Sequence, residues 1–337
     1  MIIKSTNVPV AVLALTFGLF ANPLFTPPAG VPPKTRTFDF TYTAEIKNLP
    51  PGSREVSLWI PLPKADANQD ISGLSVNSFS SAQPVADREA EYGNQNFYFH
   101  VRQPEQPSLR VIMKFHVRRR EVRRDLQQDI QAGSQTDPTV PADRWLKPDR
   151  LAPIDGRIRE LALSITQGKL TELEKARAIY DFAVQNLKYD KTGTGWGRGD
   201  IYYACDVERG NCTDFHSLFI GLCRAIGIPA RFEMGVSLPE AHGGGTISGY
   251  HCWAQFYLKG YGWIPVDASE ASKNPAKREY FFGGHDENRL LFTVGRDLRL
   301  SPRQKGEPLN FFIHAYAEVD GKIFNKVETM FAFKDLL

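Results

Sequence analysis

One cysteine of this chain stands where a thiol ionises most easily. Cys212 follows the turn residues Gly210 and Asn211 and precedes a predicted amphipathic helix over residues 215–228. The free N–H groups of a first helical turn and the helix dipole put roughly half a positive charge beside that sulfur. A thiolate is a nucleophile, whereas a thiol in the middle of a buried helix is inert. The sequence therefore predicts a reactive cysteine.

Two further residues complete an activated-cysteine site if one hairpin has the right register. His251 lies on a predicted strand over residues 250–258, and Asp267 ends a second strand that follows a glycine turn. The two side chains share a face if the numbers of opposed residues sum to an even constant. A turn centred on Lys259 opposes them directly, and one centred on Gly260 puts them on a diagonal. An odd register would separate them and exclude a triad.

The three residue types suit acyl transfer from an amide or ester. An imidazole such as His251 can deprotonate the thiol and later protonate the leaving amine. A carboxylate such as Asp267 fixes the tautomer and favours imidazolium, which in turn favours thiolate. The backbone N–H of Cys212, at the helix start, is a candidate oxyanion donor.

The residues around these positions closely resemble the core of the transglutaminase-like superfamily. The matching stretches are residues 210–219, 223–231, 250–255 and 262–267. The resemblance implies a papain-like α+β core in which Cys212 is the nucleophile, His251 the base and Asp267 the orienting carboxylate. The N-terminal part resembles the sandwich that often precedes this core in bacterial members. Family members include protein crosslinkers, deamidases and peptidases, so the resemblance identifies the triad more closely than the reaction.

Hydrophobic patterning supports this organisation. Apolar and polar residues alternate strictly over residues 38–46 and 109–117, which predicts an antiparallel sandwich, and helices begin near Pro153. The expected fold is α+β: an all-β sandwich followed by a core of N-terminal helices and an antiparallel sheet. The expected division is a signal peptide and Pro-rich spacer at 1–33, a β-sandwich domain at 34–122, a linker at 123–150 and a transglutaminase-like catalytic domain at 151–337.

The net charge of the chain limits the classes of partner that it can be expected to bind. The chain has 41 basic and 38 acidic residues, so its net charge of +3 gives no case for a nucleic-acid partner. The arginines of residues 118–124 indicate a solvated strand end, with an anionic surface or ligand as the alternative.

Lys4 precedes an apolar run over residues 8–21 that is too short to span a bilayer and is typical of a secretory signal. Export to the periplasm or the exterior is expected, without a further membrane segment. An uncleaved anchor is the alternative, because residues 19–21 fit the cleavage pattern imperfectly.

The chain contains four cysteines, which could form disulfide bonds or bind a metal. They are Cys205, Cys212, Cys223 and Cys252. Cys212 and Cys223 lie about 16 Å apart on one predicted helix, too far for a bridge. Bridges from Cys212 to Cys205, or from Cys223 to Cys252, stay open, but a core of this size does not need them and free thiols are expected. Cys223 and Cys252 are expected to be core residues.

Two more residues are expected to line the site. His216 lies one helical turn after Cys212 and, with Cys205 and His251 or Cys252, could be read as a zinc site. That spacing matches no common zinc pattern, so neither a metal nor another cofactor is expected. Trp196, in a glycine-rich loop over residues 193–199, is the candidate for an oxyanion or site-lining role.

The expected function is a thiol enzyme that attacks amide bonds of protein or peptide substrates through a thioester. The same triad would also serve a cysteine peptidase or deamidase, since hydrolysis requires no second binding site. A non-catalytic exported binding or structural module is the alternative from another class. The sandwich is expected to brace the core.

Overall fold

The structure, a computed structural model, describes residues 32–78, 84–126 and 142–336. The expected signal and spacer fall almost wholly outside these residues, as does the middle of the expected linker. Strands make up the N-terminal part: β1 (Thr35–Ile46), β2 (Glu55–Pro61), β3 (Gln69–Ser78), β4 (Val85–Arg88), β5 (Gln95–Arg102), β6 (Leu109–Arg120) and β7 (Val122–Arg123).

Helices and strands are mixed along the rest of the chain. The α-helices are α1 (Gly156–Ile165), α2 (Glu172–Asn186), α3 (Ile201–Val207), α4 (Cys212–Ala225) and α5 (Ala268–Lys273), with 3₁₀ helices at Ala142–Leu146 and Pro275–Lys277. The strands are β8 (Lys188–Tyr189), β9 (Arg209–Gly210), β10 (Ala230–Ser237), β11 (Gly244–Ile247), β12 (His251–Leu258), β13 (Gly262–Val266), β14 (Gly284–His285), β15 (Arg289–Val294), β16 (Tyr316–Val319), β17 (Lys322–Ile323) and β18 (Val327–Asp335). This mixture confirms the α+β class. Within the described residues, no helix combines the length and the apolar character needed to cross a membrane.

Two antiparallel five-stranded sheets form the sandwich. Their strand orders are β11-β18-β1-β6-β3 and β17-β16-β2-β5-β4. Buried and more exposed residues alternate along β1 and β6, as a sheet with one covered face requires. Inward side chains of both sheets, such as Phe40 and Leu58, belong to one hydrophobic core. Both sheets are completed by strands from beyond residue 240, because β11, β16, β17 and β18 join them.

The core is a four-stranded sheet of order β13-β12-β10-β15 with α4 packed on it. Helices α1, α2, α3 and α5 pack around α4, and every residue of α4 is buried. Its apolar stripe includes Phe215, Leu218 and Leu222, all with no exposed surface. A helix covered on every side holds its first residue, Cys212, at a fixed position against the sheet.

The hairpin of β12 and β13 turns about Gly260. Ala254 opposes Val266 and Leu258 opposes Gly262, so the pairing constant is even. This confirms the register in which His251 and Asp267 share a face, in its diagonal form.

The sandwich also holds the loop that leads to His251. Arg36, on β1, is fully buried and forms two hydrogen bonds with Asp335 of β18, at 2.8 and 2.9 Å. Its guanidinium also donates to the carbonyl oxygens of Pro239 and Ala241, at 2.6 and 3.2 Å. These carbonyls belong to the connection between β10 and β12, whose middle strand, β11, pairs with β18. The sandwich therefore anchors the first part and the middle of that connection.

Candidate active site

Cys212 is the first residue of α4, as the sequence predicts, and its side chain is buried. The N-cap is Asn211, whose side-chain oxygen accepts a hydrogen bond from the Thr213 N–H at 2.9 Å. Asp214 completes a capping box by accepting the Asn211 N–H at 2.9 Å. The sulfur therefore lies at a well-capped helix start, where the dipole favours a negative charge.

Asp214 also joins the glycine-rich loop to this helix. Its carboxylate accepts the N–H groups of Gly197 and Gly199, at 2.6 and 2.9 Å. Burial raises the pKa of this carboxyl, while the backbone donors favour its charged form. Gly199 has a φ of +61°, and a Cβ there would lie 3.1 Å from the Thr213 carbonyl oxygen. The position of Asp214 in the first helical turn predicts that it interacts with the helix dipole. Its contacts with the glycine-rich loop cannot be predicted in this way, because they form only in the folded chain.

The thiol of Cys212 and the ring of His251 interact, and each shifts the pKa of the other. Burial raises the pKa of this thiol, but hydrogen bonds with Cys252 and His251 and the positive charge of His251 hold it well below its usual range. Burial by itself lowers the pKa of His251, but the charge and hydrogen bond of Asp267 raise it to about 9. The two shifts therefore favour a thiolate–imidazolium pair over the neutral thiol and imidazole.

His251 uses its other nitrogen to bind Asp267. Its Nε2 lies 2.7 Å from Asp267 Oδ2, and both side chains are buried. Because Nε2 is occupied, Nδ1 is the nitrogen left for the sulfur. The carboxylate thus fixes the tautomer that a base facing the thiol requires.

Asp267 lies just after β13, so the expectation that this residue ends the second strand of the hairpin is wrong. β13 ends at Val266, and Asp267 is the N-cap of α5, where its Oδ1 accepts the Glu270 N–H at 2.9 Å. The Ser269 hydroxyl donates to the same oxygen at 2.9 Å. The spacing Asp-x-x-Glu is an N-terminal helix signal in the sequence, and it indicates this arrangement.

Arg289 is a site residue that the sequence reasoning missed. It lies on β15, and its Nη1 donates to Asp267 Oδ2 at 2.6 Å. Burial raises the pKa of the Asp267 carboxyl, but the charges of His251 and Arg289 hold it well below its usual range. No local motif marks Arg289, because only the pairing of β10 with β15 brings it to the carboxylate.

His216 and Cys252 lie beside these three residues. His216 is fully buried, with Nε2 3.4 Å from Asp267 Oδ1 and Nδ1 3.7 Å from Cys252 Sγ. Cys252 has no exposed surface, as expected for a core residue, but its thiol and that of Cys212 also shift each other's pKa. His216 therefore lines the site, and Cys252 does so too.

Trp196 has a different partner. Its indole N–H donates to the Gly193 carbonyl oxygen at 3.2 Å, within the glycine-rich loop. An indole has one N–H group, so this bond leaves it no donor for an oxyanion.

All four cysteines of the chain are free thiols.

The site also contains a cluster of possible metal ligands. Ligand atoms of His251, Asp267 and Glu270 lie within 4.8 Å of one another. Arg289 donates to the same Asp267 carboxylate, and its permanent charge opposes a cation there.

Known proteins share this core. Residues 159–268 match the family model of the transglutaminase-like superfamily. An uncharacterized protein of Haemophilus influenzae is 29% identical over 331 residues, which cover 86% of this chain and 88% of that protein. The uncharacterized protein YebA of Bacillus subtilis is 27% identical over 151 residues, which cover 40% of this chain and 20% of YebA.

One solved structure is similar over nearly the whole chain. It is that of a proposed cysteine protease from Cytophaga hutchinsonii, with a TM-score of 0.55 and 16% identity. The superposition covers 90% of this chain and 98% of that one, so the likeness of fold extends beyond the core. Residues 159–268 are thus similar to the transglutaminase-like superfamily, the family that the sequence resembles.

Proposed function

We propose that this protein is a thiol enzyme that attacks amide bonds of protein or peptide substrates. Cys212 is the nucleophile, His251 the general base and acid, and Asp267 the residue that orients the imidazole. The observation that carries this proposal is the buried hydrogen bond between His251 and Asp267, with the buried Cys212 thiol close enough to the ring to shift its pKa.

The reaction follows from these contacts. The Cys212 thiolate attacks the carbonyl carbon, and the carbonyl oxygen gains a negative charge. The Cys212 N–H, in the first turn of α4, has no partner within its helix and is the candidate donor to that oxygen. When the C–N bond breaks, His251 gives its proton to the leaving amine, and a thioester remains on the sulfur.

The fate of the thioester separates two candidate reactions. Attack by water, with His251 as base, gives a cysteine peptidase or deamidase. Attack by an amine gives an acyltransferase, and the burial of Cys212 and His251 favours it, because little water reaches the thioester. Both reactions use the same residues and require no cofactor. The apolar run after Lys4 supports a site of action outside the cytoplasm.

The first experiment is the pH dependence of Cys212 alkylation, read by mass spectrometry in the wild type and in His251→Ala. A thiolate paired with imidazolium reacts at acidic pH, so we expect selective labelling of Cys212 there and its loss in the variant. Cys205 is an internal control, because burial raises the pKa of its thiol to about 11. Slow, equal labelling of all four cysteines would overturn the proposal and leave a non-catalytic module.

A second experiment identifies the reaction. Unfolded protein substrate is incubated with the wild type and with Cys212→Ala, in the presence of a labelled primary amine. New amino termini indicate a peptidase, ammonia without incorporated amine indicates a deamidase, and incorporated amine indicates an acyltransferase. Products that also form with Cys212→Ala would exclude Cys212 as the nucleophile.

A further inference from the structure

A second thiol lies against the proposed nucleophile. The Sγ of Cys252 is 3.7 Å from Thr213 Oγ1 and 3.7 Å from His216 Nδ1, which puts it against the first turn of α4. Cys212 begins that turn, and each of the two thiols shifts the pKa of the other. Two free thiols at one helical turn of a reactive site can form a disulfide.

The other cysteines lie elsewhere. Cys223 is near the far end of α4, about 16 Å from Cys212 at the rise of a helix. Cys205 is on α3, half-buried, in the field of Arg157 and Asp206. Cys252 is therefore the thiol that the fold puts beside the nucleophile.

The surroundings of Cys252 favour a thiol that stays protonated until the neighbouring cysteine has been oxidised. Burial and the negative charge of Cys212 hold its pKa well above the usual range, so Cys252 keeps its proton while Cys212 is a thiolate. His216 Nδ1 lies at 3.7 Å, where an imidazole can accept that proton when the sulfur reacts. Asp267, 3.4 Å from the other nitrogen of His216, would stabilise the resulting charge.

We propose that Cys252 is a resolving cysteine, which forms a reversible disulfide with Cys212 when a peroxide oxidises the nucleophile. The inference rests on the proposed function in one respect, the reactivity of the Cys212 thiolate. It adds a modification site and a form of regulation to that function.

The chemistry balances in two steps with hydrogen peroxide as the oxidant. The Cys212 thiolate attacks one peroxide oxygen, the O–O bond breaks, and sulfenic acid and hydroxide form. The sulfur of Cys252 then attacks the sulfur of Cys212, so that the S–S bond forms and the S–O bond breaks. The departing hydroxide takes the Cys252 proton, by way of His216, and leaves as water. The two sulfurs lose two electrons and the peroxide gains two.

The disulfide would spare the enzyme from irreversible damage. Sulfenic acid that meets no thiol is oxidised further to sulfinic and sulfonic acids, which dithiols do not reduce. A Cys212–Cys252 bridge stops the oxidation at a stage from which a dithiol restores both thiols. The enzyme would then be inactive under oxidising conditions and active again after reduction.

The test uses the reduced full chain. Part of it is alkylated with iodoacetamide to measure the reactivity of Cys212, and the rest is treated with hydrogen peroxide, blocked with N-ethylmaleimide and digested without reduction. Trypsin leaves Cys212 and Cys223 on one peptide, residues 210–224, so a second digestion with chymotrypsin, after Phe215 and Phe219, is needed to separate them.

In the wild type we expect a Cys212–Cys252 cross-linked peptide. Iodoacetamide labelling of Cys212 should fall about tenfold after peroxide and return after dithiothreitol. In Cys252→Ala we expect Cys212 sulfinic and sulfonic acids and no recovery. Cys205→Ala is the matched control and should behave as the wild type does.

The two ways of failing are distinguishable. Rapid labelling of reduced Cys212, with no Cys212–Cys252 peptide after peroxide, would overturn this inference and leave the proposed function intact. Reduced Cys212 that labels no faster than Cys205 would overturn the proposed function. The cross-linked peptide decides the inference in either case, because it is measured independently of the labelling rate.

Discussion

Arg289 and His251 bind the same oxygen of one carboxylate. Asp267 Oδ2 accepts the Arg289 Nη1 donor at 2.6 Å and the His251 Nε2 donor at 2.7 Å. Arg289 keeps Asp267 ionised inside the protein, but it also takes part of the negative charge that would otherwise act on the imidazole. The basicity of His251 is thus set by a competition between two cations.

Replacing Arg289 tests this competition. In Arg289→Met the Oδ2 oxygen loses the cation that competes with His251, so the pKa of His251 should rise and the alkaline limb of acylation should move to higher pH. Removing one partner of a buried pair should also lower the free energy of unfolding by about 3–5 kcal/mol. Denaturant unfolding and the pH profile measure the two effects.

Arg120 gives the matched control for this variant. It forms an ion pair with Asp70 on the exposed side of the sandwich, and Arg120→Met should leave both the unfolding midpoint and the pH profile unchanged. If the alkaline limb of Arg289→Met stays where it is in the wild type, Arg289 does not affect the pKa of His251 through Asp267.

Asp267→Asn should lower kcat/KM by about 10³- to 10⁴-fold, because an amide no longer fixes the imidazole tautomer. Without the carboxylate charge, the pKa of His251 should also fall from about 9, and Cys212 should lose its labelling at acidic pH. Steady-state kinetics and alkylation measure these changes. A variant with normal kinetics would remove Asp267 from the mechanism.

The wild-type rate of Cys212 acylation should follow a bell-shaped pH profile with a broad top. The pKa of Cys212 lies well below its usual range, so the thiolate forms at a lower pH than an ordinary thiolate does. The pKa of His251 is raised from 6.5 to about 9, so the imidazolium is lost only as the pH rises through about 9. The active pair should therefore persist between these limits. A rate that first rises above pH 8 would contradict the paired state.

Gly235 controls how closely β15 approaches the site. It opposes His251 in the β10–β12 ladder, and a Cβ there would lie 1.9 Å from the Leu290 carbonyl oxygen. Gly235→Ala must displace β15, which carries Arg289, and should cost about 1–3 kcal/mol of unfolding free energy and slow acylation. Gly249→Ala is the control, because a Cβ there meets no atom within 4 Å. Equal behaviour of the two variants would mean that β15 shifts without consequence.

Arg36 should matter to the site although it lies in the sandwich. Arg36→Met removes the donors to Asp335 and to the carbonyls of the connection before His251, and should lower the unfolding free energy by about 3–5 kcal/mol. Acylation should also slow, since that connection loses its anchor. Lys47→Met, which removes an exposed pair between Lys47 and Glu328, should change neither quantity. Unfolding without any loss of acylation rate would limit Arg36 to a structural role.

Local patterns predicted those parts of the molecule that depend on neighbouring residues. Period-two alternation predicted β1 and β6, and the Gly-Asn turn predicted the start of α4. The existence of the hairpin was predicted, and its register was left open between two even pairings and an odd one.

The rest depends on contacts between distant segments. Arg289 reaches Asp267 through a neighbouring strand, and Cys252 reaches Cys212 because β12 packs on α4. β18 pairs with β1, and nothing in the sequence of either strand indicates that partner. Sequence spacing carries no information on such pairings unless a short turn joins the strands.

The pairing of β1 with β18 has a consequence for how the protein is made. Arg36 and Asp335 are 299 positions apart, and one edge of β1 stays without its neighbour until β18 has been synthesised. Closing so long a loop is entropically costly, and contacts of this separation form late in folding. Because β11 pairs with β18, the connection before His251 gains its anchor only then. The segment that leads to His251 is therefore tied to the sandwich only in a chain that includes β18.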